Sequence, residues 1–186
     1  LFAFKKLMLK EMRNAFRHAY IVILTFNAKT GVRTFEAAAY LRRSGAEVTR
    51  VRKMIRNDMA AYKARAEAVR SAEVYKKAFA ISVCPGEELE SPTIVGAQAA
   101  NELLNVVGVK AAIVLCEYQN QIYVSARSID EVNVQVIMER MNGGGHMTAA
   151  AMQRPRCNID DVHKELLDVL EDYFGEAESN ESNTEN

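Results

Sequence analysis

The sequence predicts an α/β fold, a mixed β-sheet flanked by helices and preceded by a long basic connecting helix. Two observations lead to this prediction. Short β-branched runs alternate with longer segments whose apolar residues recur every three or four positions, which indicates strands separated by helices. Hydrophobic residues make up 49% of the 186 positions and charged residues 26%. The chain can therefore bury a core, and these proportions exclude a wholly disordered chain or a disulfide-stapled scaffold.

The N-terminal part is predicted to be mostly helical. Residues 5–18 predict a basic helix, and Tyr20–Phe26 predicts a buried strand because it is rich in β-branched residues. Thr34–Arg43 predicts a helix that ends at Gly45, since glycine readily takes the left-handed conformation that stops a helix. Residues 48–77 are basic, carry apolar side chains three or four positions apart, and predict one long helix.

The middle of the chain is predicted to form three strands and one helix. Phe79–Cys84 reads as a short strand, and Ser91-Pro92 is typical of a helix start, with the serine as cap. That helix is predicted to reach about Val107. Val109–Tyr118 and Ile122–Arg127 predict a β-hairpin turning at Gln119, Asn120 and Gln121.

The C-terminal part predicts two further helices. Glu131–Met141 reads as a helix, and Asn142–His146 reads as a glycine loop. A final amphipathic helix is predicted to begin at the capping residue Asn158 and to stop at Gly175. The acidic, polar residues after it predict a disordered tail.

The net charge of zero, from 24 Lys+Arg and 24 Asp+Glu, hides two opposite blocks. Arg42–Ala78 holds eleven basic and four acidic residues, a net of +7, whereas residues 159–186 hold ten acidic residues and one Lys, a net of −9. Neutrality therefore does not exclude a phosphate-bearing partner. The separated cysteines favour free thiols in a reducing cytoplasm, and no apolar run approaches the ~20 residues of a membrane span.

Three short stretches point to a phosphate ester. In Asn142–His146, consecutive glycines allow backbone N–H groups to converge on phosphate oxygens, and a helix beginning near Met147 would add its dipole. Ser125 and Arg127, with Ser128, lie at the end of a predicted strand and offer hydroxyls and a planar guanidinium. Thr30–Thr34 repeats this chemistry around Arg33. For each stretch a purely structural role stays open: a flexible turn, an Arg paired with Asp130 or Glu131, or a helix cap.

Other chemistries have little support. The three histidines are scattered without zinc-binding spacing, and neither a G-x-S-x-G elbow nor a Walker loop occurs.

Three sequence segments occur in this order along the chain: Thr30–Glu47 (TGVRTFEAAAYLRRSGAE), Val124–Glu139 (VSARSIDEVNVQVIME) and Asn142–Gln153 (NGGGHMTAAAMQ). Together they resemble the C-terminal half of DHH-family phosphodiesterases, most closely the bacterial enzymes that hydrolyse cyclic di-AMP. The resemblance implies five segments: an unmatched N-terminal segment at 1–28, the end of a truncated DHH domain at 29–47, a helical connector at 48–78, a DHH-associated nucleotide-binding domain at 79–174 and a disordered acidic tail at 175–186.

The resemblance also implies roles for particular residues. Four residues would bind the phosphate and base of a nucleotide: Gly143, Gly144, Gly145 and His146. Ser125 and Arg127 would hold the second phosphate side, and Arg33 would face the shared cleft. The implied ligand is a cyclic dinucleotide or a short oligonucleotide. The implied assembly is a homodimer, with a bacterial cell membrane reached only through a missing N-terminal region.

One departure from the family pattern concerns metals. The family enzymes hold two manganese ions with Asp and His ligands, including an Asp-His-His triplet that this sequence lacks. The stretch Ile21–Phe26, where the family tends to place a metal-binding Asp, also has no carboxylate. We therefore predict no metal and no catalytic residue in this chain, and no hydrolysis by this chain alone, since two metals normally stabilise the attacking and leaving oxygens.

Two alternatives to a substrate-binding portion of a phosphodiesterase stay open. One is a non-catalytic RNA-binding module, which the basic block supports because RNA contact needs clustered Lys and Arg. The other is a degenerate gene fragment without activity.

Overall fold

The computed structural model of the chain describes residues 31–45, 58–87, 89–129 and 131–184, together with positions 47, 49, 53 and 56. The chain divides into two compact units, residues 1–57 and 58–186. The predicted helix at 5–18 and the predicted strand at Tyr20–Phe26 lie outside the described residues, as does most of the connector up to residue 57.

In the first unit, the described part is one helix, α1 (Val32–Arg43). It begins after Gly31 and ends through Ser44 and Gly45, whose φ is +92°. The predicted glycine stop is confirmed. Arg42 and Arg43 fill the last turn, where positive side chains favour the negative end of the helix dipole.

The second unit is a six-stranded sheet with helices on both faces. Its elements in chain order are α2 (Met59–Arg70), β1 (Glu73–Tyr75), β2 (Phe79–Cys84), α3 (Pro92–Leu103), β3 (Ala111–Tyr118), β4 (Gln121–Ser128), α4 (Val134–Arg140), β5 (Gly144–His146), β6 (Ala149–Pro155) and α5 (Ile159–Thr184). The strand order is β1-β2-β3-β4-β6-β5. Only β2 and β3 run parallel among these neighbouring pairs, so the predicted mixed α/β sheet is confirmed.

Two apolar cores lie on opposite faces of the sheet, because successive residues of a strand point to opposite sides. On one face, Ile113 and Leu115 of β3 are fully buried in a cluster with residues of α4 and α5, including Leu166. On the other face, Val114 packs in a cluster with residues of α2 and α3, including Ala99. The helices therefore cover both faces of the sheet near its centre.

The predicted long helix at 48–77 is wrong at its C-terminal end, because residues 71–77 are not helical. Helix α2 begins at the cap Asp58, whose carboxylate accepts a hydrogen bond from the Ala61 backbone N–H at 2.7 Å, and it ends at Arg70. The next residues form β1, which pairs antiparallel with β2 through a turn at Lys76 and Lys77, both with positive φ. Apolar spacing could not reveal this, because three residues are too few to distinguish a strand from a helical turn.

Helix α3 begins at Pro92 as predicted, with Ser91 in the N-cap position, but the serine hydroxyl makes no capping hydrogen bond. The helix ends at Leu103 and not near Val107; turns then lead to Gly108, with φ +90°. The strand at Phe79–Cys84 and the β3–β4 hairpin are confirmed. The two-residue turn of this hairpin is Gln119-Asn120. Both residues have positive φ, 49° and 59°, which matches the twist of the flanking strands.

The final helix α5 does not stop at Gly175, as predicted, but continues to Thr184, where a disordered tail was expected. A single glycine costs a helix about 1 kcal/mol, and this residue is exposed. The start of the helix is as predicted, with the side chain of Asn158 accepting a hydrogen bond from the Asp160 N–H at 3.0 Å. No helix in the described ranges is long and apolar enough to cross a membrane.

An ion pair between β6 and α5 makes stability depend on pH. Arg154 donates hydrogen bonds to both carboxylate oxygens of Glu165, which holds the pKa of that carboxyl below its ordinary value. A carboxyl with a lowered folded pKa contributes stability above its unfolded pKa of about 4.3, and this stability is lost as pH falls through the folded pKa.

We therefore expect Glu165→Gln to lower the free energy of unfolding by about 0.5–1 kcal/mol at pH 7, since the pair is partly exposed. At pH 3 the difference between the variant and the parent chain should be smaller than at pH 7, because the protonated fraction of Glu165 rises as the pH falls towards and through its lowered pKa. Urea unfolding at the two pH values measures the difference. Glu90→Gln is the matched control, being exposed and without an ion pair in the described part. An equal loss at both pH values would contradict the assignment.

Candidate functional site

The glycine run lies in a β-hairpin at the edge of the sheet. Gly144–His146 forms the edge strand β5, Met147 and Thr148 turn the chain, and Ala149–Pro155 forms β6. The predicted loop over Asn142–His146 and the predicted helix from Met147 are therefore wrong. Alanines favour helices, but Ala150 and Met152 are buried beneath the sheet when β6 pairs with β4. Burial and pairing override the local preference.

Strand register brings four predicted residues onto one face. Ser125 of β4 lies opposite Ala151 of β6, which lies opposite Gly144 of β5. In the next row, Arg127 lies opposite Ala149, which lies opposite His146. Residues directly opposite one another in antiparallel strands share a face. The two rows therefore assemble Ser125, Arg127, Gly144 and His146, which are up to 21 positions apart in sequence.

Helix α3 covers this face of the sheet over β4, and the face is open over β6. A Cβ added to Gly96 of α3 would stand 4.0 Å from Ser125 Oγ, so the helix lies directly over β4 there. Over β6 the side chains are small, and Ala151 is exposed. The result is a groove floored by β6. A cavity of about 350 Å³ at its inner end is lined by Ser125 and Gly143, which joins a fifth predicted residue to the site.

The three glycines of the run differ in what surrounds them. A Cβ on Gly143 would meet Ala151 O at 2.4 Å, and one on Gly145 would meet Ala149 O at 2.5 Å. Gly145 also has φ +150°. A Cβ on Gly144 would meet nothing within 4 Å. Gly143 and Gly145 thus allow the hairpin to pack closely, while Gly144 leaves open space above the groove.

Arg127 is a half-buried cation without a carboxylate partner among the described residues. Its Nη1 donates to the carbonyls of Ala126 at 2.8 Å and Ala150 at 3.5 Å. Burial lowers the pKa of its guanidinium. Glu131, one of the two carboxylates considered as its partner, pairs with Lys110 instead. A partly desolvated positive charge of this kind is stabilised by an anion that binds beside it.

Ser125 carries a buried hydroxyl with no hydrogen-bond partner in the described part of the chain. Its residue is 8% exposed, and buried hydroxyls nearly always find a partner within the protein or in a bound molecule. Ser128, the other serine of the predicted site, is already used: its hydroxyl donates to Val132 O at 2.6 Å and to Met147 O at 3.3 Å. Ser128 therefore anchors the turn after β5, while Ser125 is available to a ligand.

Arg33 lies in α1, within the first compact unit, while the other predicted residues lie in the second. Its predicted position beside the cleft stays a prediction. His146 is exposed at the end of β5. No group of three or more His, Cys, Asp or Glu side chains among the described residues could hold a metal ion.

Sequence reasoning missed three polar residues that line the cavity: Thr93, Tyr123 and Gln153. Tyr123 could have been found, because it precedes Ser125 by two positions on a predicted strand and so shares its face. Gln153 could not, because the residues before it were predicted to be helical.

Comparisons with known proteins identify the family of this chain. A model of the DHHA1 domain matches residues 76–176. The cyclic-di-AMP phosphodiesterase PdeA of Listeria monocytogenes serotype 1/2a (strain 10403S) is 37% identical over 150 residues, covering 80% of this chain and 23% of that protein. The cyclic-di-AMP phosphodiesterase GdpP of Bacillus subtilis (strain 168) is 38% identical over 152 residues, covering 81% of this chain and 23% of that protein. The chain thus spans about a quarter of the length of these curated relatives.

Among solved structures, an exopolyphosphatase-related protein from Bacteroides fragilis superposes with a TM-score of 0.65 at 18% identity. The match covers 80% of this chain and 45% of that one. At this identity the likeness shows a shared fold alone.

Proposed function

Because the chain belongs to the DHHA1 domain family, a DHH-family domain, we propose that it is the substrate-binding portion of a phosphodiesterase that hydrolyses cyclic di-AMP. Residues 79–174 would be its nucleotide-binding domain. Residues 29–47 would be the end of the catalytic DHH domain, with 48–78 as the connector. The relatives that are 37–38% identical are cyclic-di-AMP phosphodiesterases, which supports this substrate class.

The observation that carries the proposal is the pair formed by Ser125 and Arg127 on one face of β4. In the described part of the chain, the serine has a buried hydroxyl without a hydrogen-bond partner, and the arginine has a half-buried charge without a carboxylate. A phosphate diester satisfies both, because its oxygens accept from the hydroxyl and from the planar guanidinium. Gly144 keeps the space across the groove open, and His146 at its end offers a further donor.

The basic block at Arg42–Ala78 supports RNA binding more directly than it supports binding of a dinucleotide. Several of its described cations, however, already pair with carboxylates. Arg65 pairs with Glu102 at 3.1 Å, and Arg70 pairs with Glu67 within its own helix. Lys76 pairs with Glu171 at 2.6 Å. A long RNA would need these cations to face phosphates. A dinucleotide needs only the local donors of the groove.

The described residues do not fit a manganese site, since no group of three ligating side chains occurs among them. We assign this chain's residues to holding the substrate and assign no bond-breaking step to them. Manganese in the intact enzyme, the homodimer and the membrane link implied by the resemblance all stay predictions.

Calorimetry on the 186-residue chain tests the proposal. The titrants are cyclic di-AMP, the linear dinucleotide pApA, and a single-stranded RNA of eight nucleotides, each at 50 and 200 mM salt. We expect both dinucleotides to bind with a shallow salt dependence. On a single strand, log K falls by about 0.7 for each neutralised phosphate when the salt concentration rises tenfold, and a dinucleotide offers few phosphates. Binding of RNA alone, with a steep salt dependence, would instead establish the RNA-binding alternative and overturn the proposal.

A further inference from the structure

Two buried cysteines that the phosphate-binding groove does not use lie side by side at the ends of neighbouring strands. Cys84 is the last residue of β2, and it lies directly opposite Cys116 of β3 in the parallel register. Both side chains belong to the apolar cluster that β2 and β3 form with α2 and α3, so they leave the sheet on the same face. Neighbouring strands are about 4.8 Å apart, which lies within the range of about 4.4–6.8 Å between Cα atoms that a disulfide joins. Both thiols are free in the structure.

A cavity of about 540 Å³ reaches the side chain of Cys84. It lies between α2, the end of β2 and the turn that follows, and Cys84 is part of its lining, whereas Cys116 is not. Strand β1 pairs with β2 only as far as Ile81, so the end of β2 has no further strand on that side in the described part of the chain. Over Cys116 the turn is closed, because a Cβ added to Gly86 would stand 2.9 Å from the Cys116 Sγ. The cavity therefore gives access to one thiol of the pair.

Burial limits which molecules can reach that thiol. Cys84 is 1% exposed, so a bulky reagent in solvent cannot contact its sulfur, whereas a molecule close to water in size can enter the cavity that it lines. Hydrogen peroxide is an oxidant of that size, and a disulfide such as oxidised glutathione is far larger. The position of Cys84 therefore favours oxidation by peroxide over exchange with a disulfide.

The two thiols differ in their readiness to react. The pKa of the Cys84 thiol is lowered, because the Cys116 thiol donates a hydrogen bond to it. The same hydrogen bond, together with burial, raises the pKa of the Cys116 thiol. Otherwise the Cys84 Sγ makes only long contacts, 3.9 Å to Ala64 O and 3.7 Å to Pro85 O. Since the thiolate is the form that attacks an oxidant, Cys84 is the first of the two to react.

We propose that Cys84 and Cys116 form a peroxide-sensitive dithiol that closes to a disulfide between β2 and β3. In the first step the Cys84 thiolate attacks one oxygen of hydrogen peroxide. An S–O bond forms, the O–O bond breaks, and the leaving hydroxide takes up the proton that Cys84 has lost. In the second step the Cys116 sulfur attacks the sulfur of the Cys84 sulfenic acid. The S–S bond forms, the S–O bond breaks, and the hydroxyl leaves as water with the proton of Cys116. Two thiols are thereby oxidised by two electrons, and one peroxide is reduced to two waters.

The experiment treats the folded 186-residue chain with hydrogen peroxide. It is made on a Cys157→Ser chain, because Cys157 is a half-buried thiol outside the pair. After the peroxide is removed with catalase, the chain is unfolded, labelled with a maleimide and digested for mass spectrometry. We expect the two remaining thiols to be lost together and to appear as one linked pair of peptides, lighter by two hydrogen atoms. Oxidised glutathione should leave both thiols free for the maleimide.

Two single variants test the order of the steps. In Cys116→Ala, peroxide should add oxygen to Cys84, because no second thiol is present to displace it. In Cys84→Ala, Cys116 should stay reduced, because the cavity does not reach it. Thermal unfolding shows whether each variant is folded, and the linked peptides of the Cys157→Ser chain decide the main question if one of them is not. The proposal is wrong if peroxide leaves both thiols free in the folded Cys157→Ser chain, or adds oxygen to each without linking them.

Discussion

Replacing Arg127 with Ala is expected to weaken binding of cyclic di-AMP or linear pApA by about 10- to 150-fold. This range corresponds to the roughly 1.5–3 kcal/mol of a hydrogen bond to a charged group. The guanidinium is the half-buried cation on the groove face, and its hydrogen bonds within the described residues go only to the carbonyls of Ala126 and Ala150. Stability should not fall with the substitution, because it removes a desolvated charge that no described carboxylate offsets.

Two companion variants make this result specific. Arg127→Lys keeps the charge but loses the planar fork, so we expect an intermediate loss of affinity. Arg70→Ala is the control, since Arg70 is exposed and pairs with Glu67 within α2. Calorimetry with both dinucleotides measures the affinities. Parental affinity in Arg127→Ala would show that the phosphate lies elsewhere.

Gly145→Ala is expected to lower the free energy of unfolding by about 2–4 kcal/mol, combining overpacking with backbone strain. The added methyl group would stand 2.5 Å from both Ala149 O and Ala150 Cα. These are backbone atoms that cannot rotate away, so β5 would have to separate from β6. The φ of +150° adds strain, because side-chain-bearing residues rarely adopt it.

The adjacent variant Gly144→Ala should behave in the opposite way. Nothing lies within 4 Å of the added methyl group, so stability should stay close to that of the parent chain. The methyl group would nevertheless stand in the row of Ser125 and narrow the groove, so dinucleotide binding should weaken. Thermal unfolding and calorimetry on the pair measure both effects. Equal destabilisation by the two substitutions would contradict the hairpin geometry, and parental binding by Gly144→Ala would place the ligand away from β5.

Much of the architecture could be predicted from local patterns. The β-branched run at Phe79–Cys84 and the apolar runs on either side of Gln119-Asn120 became β2 and the β3–β4 hairpin. The final amphipathic helix begins where Asn158 was expected to cap it. These signals are short-range: a period of two or 3.6 residues, a turn dipeptide, a capping side chain. The family was also identified from three strings in one order, and the domain match confirms it.

Local patterns misjudged two segments whose state depends on pairing with another strand. A helix was expected to begin at Met147–Met152, yet Ala149–Pro155 forms β6, because β4 and β5 pair with both of its edges. Residues 73–75 were expected to extend a helix, yet they pair with β2. For β6, one of the two partner strands, β4, lies more than 20 positions earlier in the chain. For β1 the partner strand is close in sequence, but the apolar spacing did not reveal the turn at Lys76 and Lys77 that folds β1 back onto β2.

The sequence by itself determined the fold class, the family and the residue types that can bind phosphate: a serine, an arginine, a histidine and a glycine run. Only the tertiary structure decided which of them lie together on one face of the sheet. It placed Arg127, Ala149 and His146 in one row. The hydroxyl of Ser128 is used in a hydrogen bond to Val132 O, whereas that of Ser125 has no partner among the described residues. A Cβ added at Gly144 would meet nothing within 4 Å, unlike one added at Gly143 or Gly145. The physical reason is strand register. A shift of one residue would turn every one of these side chains to the opposite face, and register is set by pairing across the sheet and not by neighbours in the chain.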